Sequence, residues 1–205
     1  MITAIGNVMR RAYEKGWITT RDGNCSVRRR NSKLMYITPS GWRKTIIHPE
    51  HMIKCRFTAT SITVPPNATP SGELEMHRQL LQNYERTRSV VHLHPTNIIA
   101  AMYAGWDLQV LAADFPEVSR YTRVGHSTPV LPVTSDVLAK ATSEALGLNY
   151  YNGEVKYDIV GQAAHGVCSV GPDPWTAYEH IERLEHICEI ALKSGVKPKG
   201  VMNES

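Results

Sequence analysis

In the stretch Val90-Val91-His92-Leu93-His94-Pro95 two imidazoles stand two residues apart. The β-branched pair ahead of His92 and the stop at Pro95 mark a short buried strand. Side chains alternate across a strand, so His92 and His94 share one face. Two imidazoles on one face of a rigid element make half of a metal site; a hydrogen-bonded pair of core histidines would leave the same trace. A third histidine, His165, interrupts an apolar run just before Gly166, an odd place for a core residue. Glu73 lies a short connection upstream of the histidine strand, in what the pattern reads as the first turn of a helix. A carboxylate there can be a plain capping charge favoured by the helix dipole. With three histidines beside it, it would fill or nearly fill a catalytic zinc site, which keeps one position open for water or substrate.

Three further segments can handle an anion. Asp22-Gly23-Asn24-Cys25-Ser26-Val27-Arg28 and Thr38-Pro39-Ser40-Gly41 are Gly/Ser/Asn turns at strand ends, able to aim several N–H groups and hydroxyls at one point. Ser71-Gly72, at a helix start, adds a positive dipole end. Each alone is also what an ordinary tight turn looks like.

The elements that must position these groups follow from periodicity. Residues 3–16 place Ile5, Val8, Met9 and Ala12 at helical spacing and stop at Gly16. Strands are expected at Cys25–Arg28, Leu34–Thr38 and Ile53–Phe57, with a short helical turn at His48–Met52 and a Thr/Pro/Asn loop at 60–70. Ser71 reads as the N-cap of a helix over Gly72–Tyr84, with Leu74, His77, Leu80 and Leu81 on one stripe. After the histidine strand come a helix at Thr96–Tyr103, extended chain over Val124–Val133, and a helix at Asp136–Leu146. Tyr157–Val170 is strand-like and broken at Ala164-His165-Gly166. Asp173–Lys193 is a long amphipathic helix, and Lys197–Ser205 a frayed tail. Strands alternating with helices indicate an α/β or α+β domain without repeats.

At 205 residues, 42% hydrophobic and 20% charged, the composition is that of one ordinary globular domain with a full-sized core. The formal charge of +4 is mild. The Arg28-Arg29-Arg30 triplet has no interleaved aromatics, which fits a solvated turn and not a nucleic-acid groove. No apolar run reaches the roughly 18 residues of a membrane span, and the N-terminus does not read as a signal peptide. Cys25, Cys55, Cys168 and Cys188 show no CxxC spacing and read as reduced thiols of a cytoplasmic protein.

Taken together and in order, Gly23-Asn24-x-Ser26-x-Arg28, Ile37-Thr38-Pro39-Ser40-Gly41, Ser71-x-Glu73 with His77, Val91-His92-x-His94 and His165-Gly166 resemble the class II aldolase/adducin family, from about Ile5 to Lys193. The resemblance implies a class II aldolase-like fold: one domain over 1–205, three layers α/β/α around a central, mainly antiparallel sheet, assembled as a homotetramer. It implies a divalent metal, usually Zn2+, on His92, His94 and His165, with Glu73 as acid/base residue. It implies a phosphate pocket from Gly23, Asn24, Ser40, Gly41, Ser71 and Gly72. The activity it implies is a metal-dependent lyase, an aldolase making or breaking a C–C bond in a small sugar phosphate through a metal-stabilised enediolate. A same-scaffold epimerase, dehydratase or decarboxylase, and a non-catalytic adducin-like interaction module, are the rivals; the module expects the metal ligands to be lost.

The remaining histidines read as bystanders: His77 structural, His48, His51, His180 and His186 exposed on helical stretches, and His126 in a loop. Cys168 reads as a small strand residue. The chain also departs from the family pattern. Ala164 stands where Asn or His is frequent, and Gly72 replaces a common Ser. The position of the family's second proton donor, a tyrosine from a neighbouring subunit, falls near Leu111-Ala112-Ala113. Tyr103 and Tyr121 are the nearest substitutes.

Overall fold

The computed structural model describes residues 1–82 and 87–198. In chain order its elements are α1 (Ile2–Glu14), β1 (Asn24–Arg28), β2 (Leu34–Ile37), β3 (Ile53–Phe57), β4 (Ile62–Thr63), α2 (Leu74–Leu81), β5 (Ser89–Leu93), α3 (Thr96–Tyr103), α4 (Leu108–Ala113), α5 (Pro116–Tyr121), α6 (Asp136–Ala145), β6 (Ile159–Gln162), β7 (Gly166–Gly171) and α7 (Pro174–Ser194). The strands form one sheet in the order β4-β3-β2-β1-β5-β7-β6, with every neighbouring pair antiparallel.

Alternation along β5 divides the molecule into layers. Val91 and Leu93 point into an apolar cluster with α1, α3, α4 and α7, joined by Cys25, Val27 and Val167 of the neighbouring strands. Val90 points the other way, into a second cluster with α2, α6 and the β2–β3 hairpin, built from Met35, Ile37, Met76, Leu80 and Val170. Helices on both faces give the α/β/α arrangement that the resemblance implied, on a mainly antiparallel sheet.

The sequence-based boundaries hold best where periodicity is strong, as in α1, β1–β3, β5, α6 and α7. Asp173 caps α7, accepting from the amides of Trp175 and Thr176, and Gly195 closes it in the left-handed region. Elsewhere the structure corrects them. The Thr/Pro-rich loop holds the two-residue strand β4, and α4 and α5 occupy a stretch to which the sequence pattern assigned no element. Their signals were the Asp107 cap, which accepts from Gln109 and Val110, and Pro116 at the first turn. Val124–Val133 pairs with the sheet through single parallel bridges, Val124 to Ile159 and Thr128 to Gln162. The helix expected to start at Gly72 starts at Leu74. Its expected end at Tyr84 lies outside the described residues, as does 199–205 of the tail.

Two ionisable side chains are also not where the sequence put them. Arg28 is no turn residue: from β1 its guanidinium donates to the Leu81 and Gln82 carbonyls, closing the C-terminus of α2. His180 is buried, its Nδ1 paired with Thr122 Oγ1 at 2.8 Å, and burial holds its pKa below the usual value. Among the described residues all four cysteines are free and buried, and no helix is long and apolar enough to cross a membrane.

Candidate metal and anion site

The histidine strand is held at its C-terminal end. Trp17 O accepts from His94 N at 2.9 Å. Just beyond Pro95, α3 begins with the amides of Asn97 and Ile98 bonded to the buried carboxylate of Glu185 on α7. β5 runs between β1 and β7, opposing His92 to Asn24 on one side and to Cys168 on the other. These three residues therefore share the face that looks toward α2.

The β6–β7 hairpin brings in His165. Gln162 pairs with Gly166 across the turn, and Ala164 sits at its tip with φ of +56°. Gly166 has no room for a side chain. A Cβ there would lie 2.4 Å from Leu93 O and 2.7 Å from His94 Cδ2, so the glycine lets the hairpin close onto the histidine strand. The ring centroids of His92, His94 and His165 are 4.7, 4.7 and 5.1 Å apart, and one ligand nitrogen from each lies within 4.8 Å of the others. Cys168 belongs to the same face but stays outside this group as a buried thiol, its pKa pushed well up by burial.

Glu73 closes the site from α2. It is the N-cap residue and not a first-turn residue as the sequence suggested. Ser71, expected to cap, forms a turn instead: its Oγ accepts from Glu73 N and its carbonyl from Leu74 N. That turn rotates the carboxylate inward, with Oε2 3.4 Å from His92 Nε2 and Oε1 3.8 Å from His165 Nε2.

Behind Glu73 runs a buried polar chain. Asn24 Nδ2 donates to Glu73 Oε2 at 3.1 Å, so the other end of the amide, Oδ1, is the acceptor for His77 Nε2 at 2.5 Å. His77 Nδ1 then accepts from Ser26 Oγ at 2.6 Å. Burial pushes the His77 pKa down to about 3, so the imidazole is neutral and its tautomer is fixed by the chain. His77 is thus structural, as the sequence indicated, in the particular sense that it sets which way the Asn24 amide faces.

The donor set fits a cation. His92 Nδ1 faces the Val167 carbonyl at 3.0 Å and must carry its proton there, leaving the Nε2 lone pair turned to His94 Nε2, 2.8 Å away. Burial holds both His92 and His94 below the usual histidine pKa, His92 well below, with the neighbouring imidazoles adding to the effect. They are therefore neutral, the form that ligates metal, near neutral pH. Glu73 Oε1 and His165 Nδ1 are buried without a hydrogen-bond partner. An orphaned carboxylate oxygen facing a cluster of imidazole lone pairs is the arrangement expected around a divalent ion.

One open pocket is lined by all ten residues singled out from the sequence: Gly23, Asn24, Ser40, Gly41, Ser71, Gly72, Glu73, His92, His94 and His165. The anion turns are laced together: Ser40 N donates to Thr69 O, Ser71 N to Thr38 O, and Pro39 bridges Pro70. Gly23, at φ of +68°, tucks under the His92 carbonyl. Lys44, Val133 and Thr134 also line the pocket and went unnoticed in the sequence. Among the described residues no tyrosine lines it. Leu111 and Ala112 are buried in α4, Tyr103 and Tyr121 are exposed at 88% and 51%, and exposed His126 pairs with Asp107.

The sequence profile of the family described as Class II Aldolase and Adducin N-terminal domain matches residues 3–192. The chain belongs to this family. Among the relatives of this class II aldolase family protein is a methylthioribulose-1-phosphate dehydratase of Bradyrhizobium sp. It is 28% identical over 200 residues, covering 90% of this chain and 88% of the relative. An L-fuculose phosphate aldolase of Methanococcus maripaludis is 25% identical over 189 residues, covering 92% and 94%. A sugar-phosphate aldolase structure from Thermotoga maritima superposes with a TM-score of 0.80, at 22% identity over 97% of both chains. L-Fuculose-1-phosphate aldolase from Thermus thermophilus gives 0.74, at 23% identity over 94% and 92%. The fold is thus the class II aldolase fold. The named relatives divide between two reactions, one breaking a C–C bond and one removing water.

Proposed function

We propose that this protein is a metal-dependent lyase of the aldolase type, working as one class II aldolase-like domain on a small sugar phosphate. The observation that carries the proposal is the meeting, in one pocket, of three imidazoles, the unpartnered Oε1 of Glu73 and three laced anion turns. His92, His94 and His165 would hold the metal, Zn2+ being the expected ion for an all-imidazole set. When bound, it supplies Lewis-acid stabilisation of negative charge developing on substrate oxygen. Gly23, Asn24, Ser40, Gly41, Ser71 and Gly72 line the end of the pocket that takes the phosphate, next to the start of α2. Glu73 moves the proton: Asn24 holds its Oε2, and Oε1 faces the pocket as the basic atom.

The second reading is dehydration of a sugar phosphate at the same site. It is supported by the dehydratase relative and by the position matching the family's second proton donor, a tyrosine from a neighbouring subunit, which falls near Leu111-Ala112-Ala113 in this chain. The intact ligand set disfavours an interaction-only module. We further propose a homotetramer acting in the cytoplasm. Incubating the protein with L-fuculose 1-phosphate and with methylthioribulose 1-phosphate, and identifying products by mass, decides the chemistry. Aldehyde and ketose-phosphate fragments support aldol cleavage, loss of 18 mass units supports dehydration, and turnover of neither sinks both substrate assignments.

A further inference from the structure

Lys44 is almost fully buried, 1% exposed, and lines the pocket that holds the anion turns. A buried lysine is costly unless its ammonium is satisfied. Here Nζ donates to the carbonyls of Arg21, at 2.9 Å, and Trp42, at 3.0 Å, while the Lys44 amide donates to Thr20 O at 2.8 Å. One residue therefore fastens the Arg21–Asn24 turn to the Ser40–Trp42 turn, and an ammonium has a third hydrogen beyond the two so used. We propose that Lys44 is the cation of the anion pocket, clamping two of its turns in register and supplying the positive charge that holds a phosphate group. This rests on the phosphate reading of the pocket given above.

The turns alone offer dipoles and hydroxyls, a weak match for a dianion; a fixed ammonium under them makes the match electrostatic. Burial brings the Lys44 pKa down to about 8, with Asp22 opposing the shift. The ammonium is therefore present at neutral pH and lost just above it. Charged and titratable groups around it are Arg21 and Asp22 in the turn before β1, Arg10 of α1 on the nearby Ile47 carbonyl, and Glu73 with the three histidines across the pocket.

Sulfate is the probe, because its charge does not change across the pH range used. Its affinity for the metal-loaded protein is measured by calorimetry from pH 6.5 to 9.5, for the parent and for Lys44→Met. The parent is expected to lose sulfate affinity as pH rises through about 8. Lys44→Met should bind roughly tenfold or more weakly at pH 7, the fold-change of one charge-assisted contact, and lose that pH step. Equal affinity in the two proteins at pH 7 overturns the role of Lys44. If Lys44→Met does not fold, the parent decides: a flat profile through pH 8 overturns it. A parent that binds no sulfate at any pH defeats the phosphate reading itself, and is distinguishable from both.

Discussion

The two faces of β5 differ by one residue in register and by everything in chemistry. On the α7 side, Val91 and Leu93 enter an apolar cluster with Ile98, Ile181 and Leu184. On the α2 side, Val90 starts an equally buried cluster, but two residues on, at His92, it gives way to the Ser26–His77–Asn24–Glu73 chain. Apolar burial is non-directional and tolerant of exchange. Buried polar groups are not: each is costly unless a specific partner stands at a specific angle. The α7 face therefore holds the strand in place, and the α2 face aims it.

The sharpest break between the faces compares neighbours. His92→Ala should abolish tight metal binding, measured by elemental analysis, with His165→Ala behaving alike. Leu93→Ala should cost about 2–5 kcal/mol in urea denaturation while metal content stays at the parental level. Metal retained in His92→Ala would remove the site assignment. Next in size is Glu73→Gln, which keeps the Asn24 contact but cannot take a proton. Turnover should fall by about 10²–10⁴-fold with metal still bound. Glu75→Gln should be close to neutral, because Glu75 faces outward onto Arg78.

A smaller effect concerns pH. His77 is held neutral down to about pH 3 in the folded chain, against an ordinary value near 6.5. The unfolded chain binds the extra proton first, so this stability is present above about 6.5 and drains away as pH falls toward 3, by about 1 kcal/mol per pH unit. Urea melts at pH 7, 6 and 5 should show a gentler fall in His77→Gln, which can donate and accept in the same chain but does not titrate. Parallel slopes for the two proteins would separate His77 from the acid sensitivity. Smallest is Ala164→Gly. The tip of the His165 hairpin is left-handed at φ of +56°, where alanine is strained. Glycine should stabilise by up to about 1 kcal/mol without altering metal content. The same dihedral explains why Asn, which tolerates that region, suits this position in the family.

The histidine strand, His165, Glu73 and the three Gly/Ser/Asn turns stood out by residue type and spacing, and the resemblance to the family joined them into one site before any turn of the chain was known. Three residues show what escaped, and why. Lys44 carries no motif; only the approach of the Arg21 and Trp42 carbonyls makes it a clamp. Glu73 was placed in a first turn because Ser71 looks like a cap, yet Ser71 bonds Glu73 N in a turn of its own. His180 reads as exposed from its helix alone, and is buried because Thr122 reaches it across the fold.

What the sequence by itself determined was local: the period-2 pattern that puts His92 and His94 on one face, the helical stripes of α1 and α7, and the Gly/Ser/Asn turns. These are decided within a few residues, by sterics and by where apolar side chains recur. What only the tertiary structure decided was which of these local features meet. His165 reaches the histidine strand because antiparallel pairing of β5 with β7 sets the register and Gly166 lets the hairpin close. Asn24 lies opposite His92 because β1 pairs with β5, 68 residues away in sequence. Those contacts are fixed by strand order and long-range packing, to which no local propensity contributes.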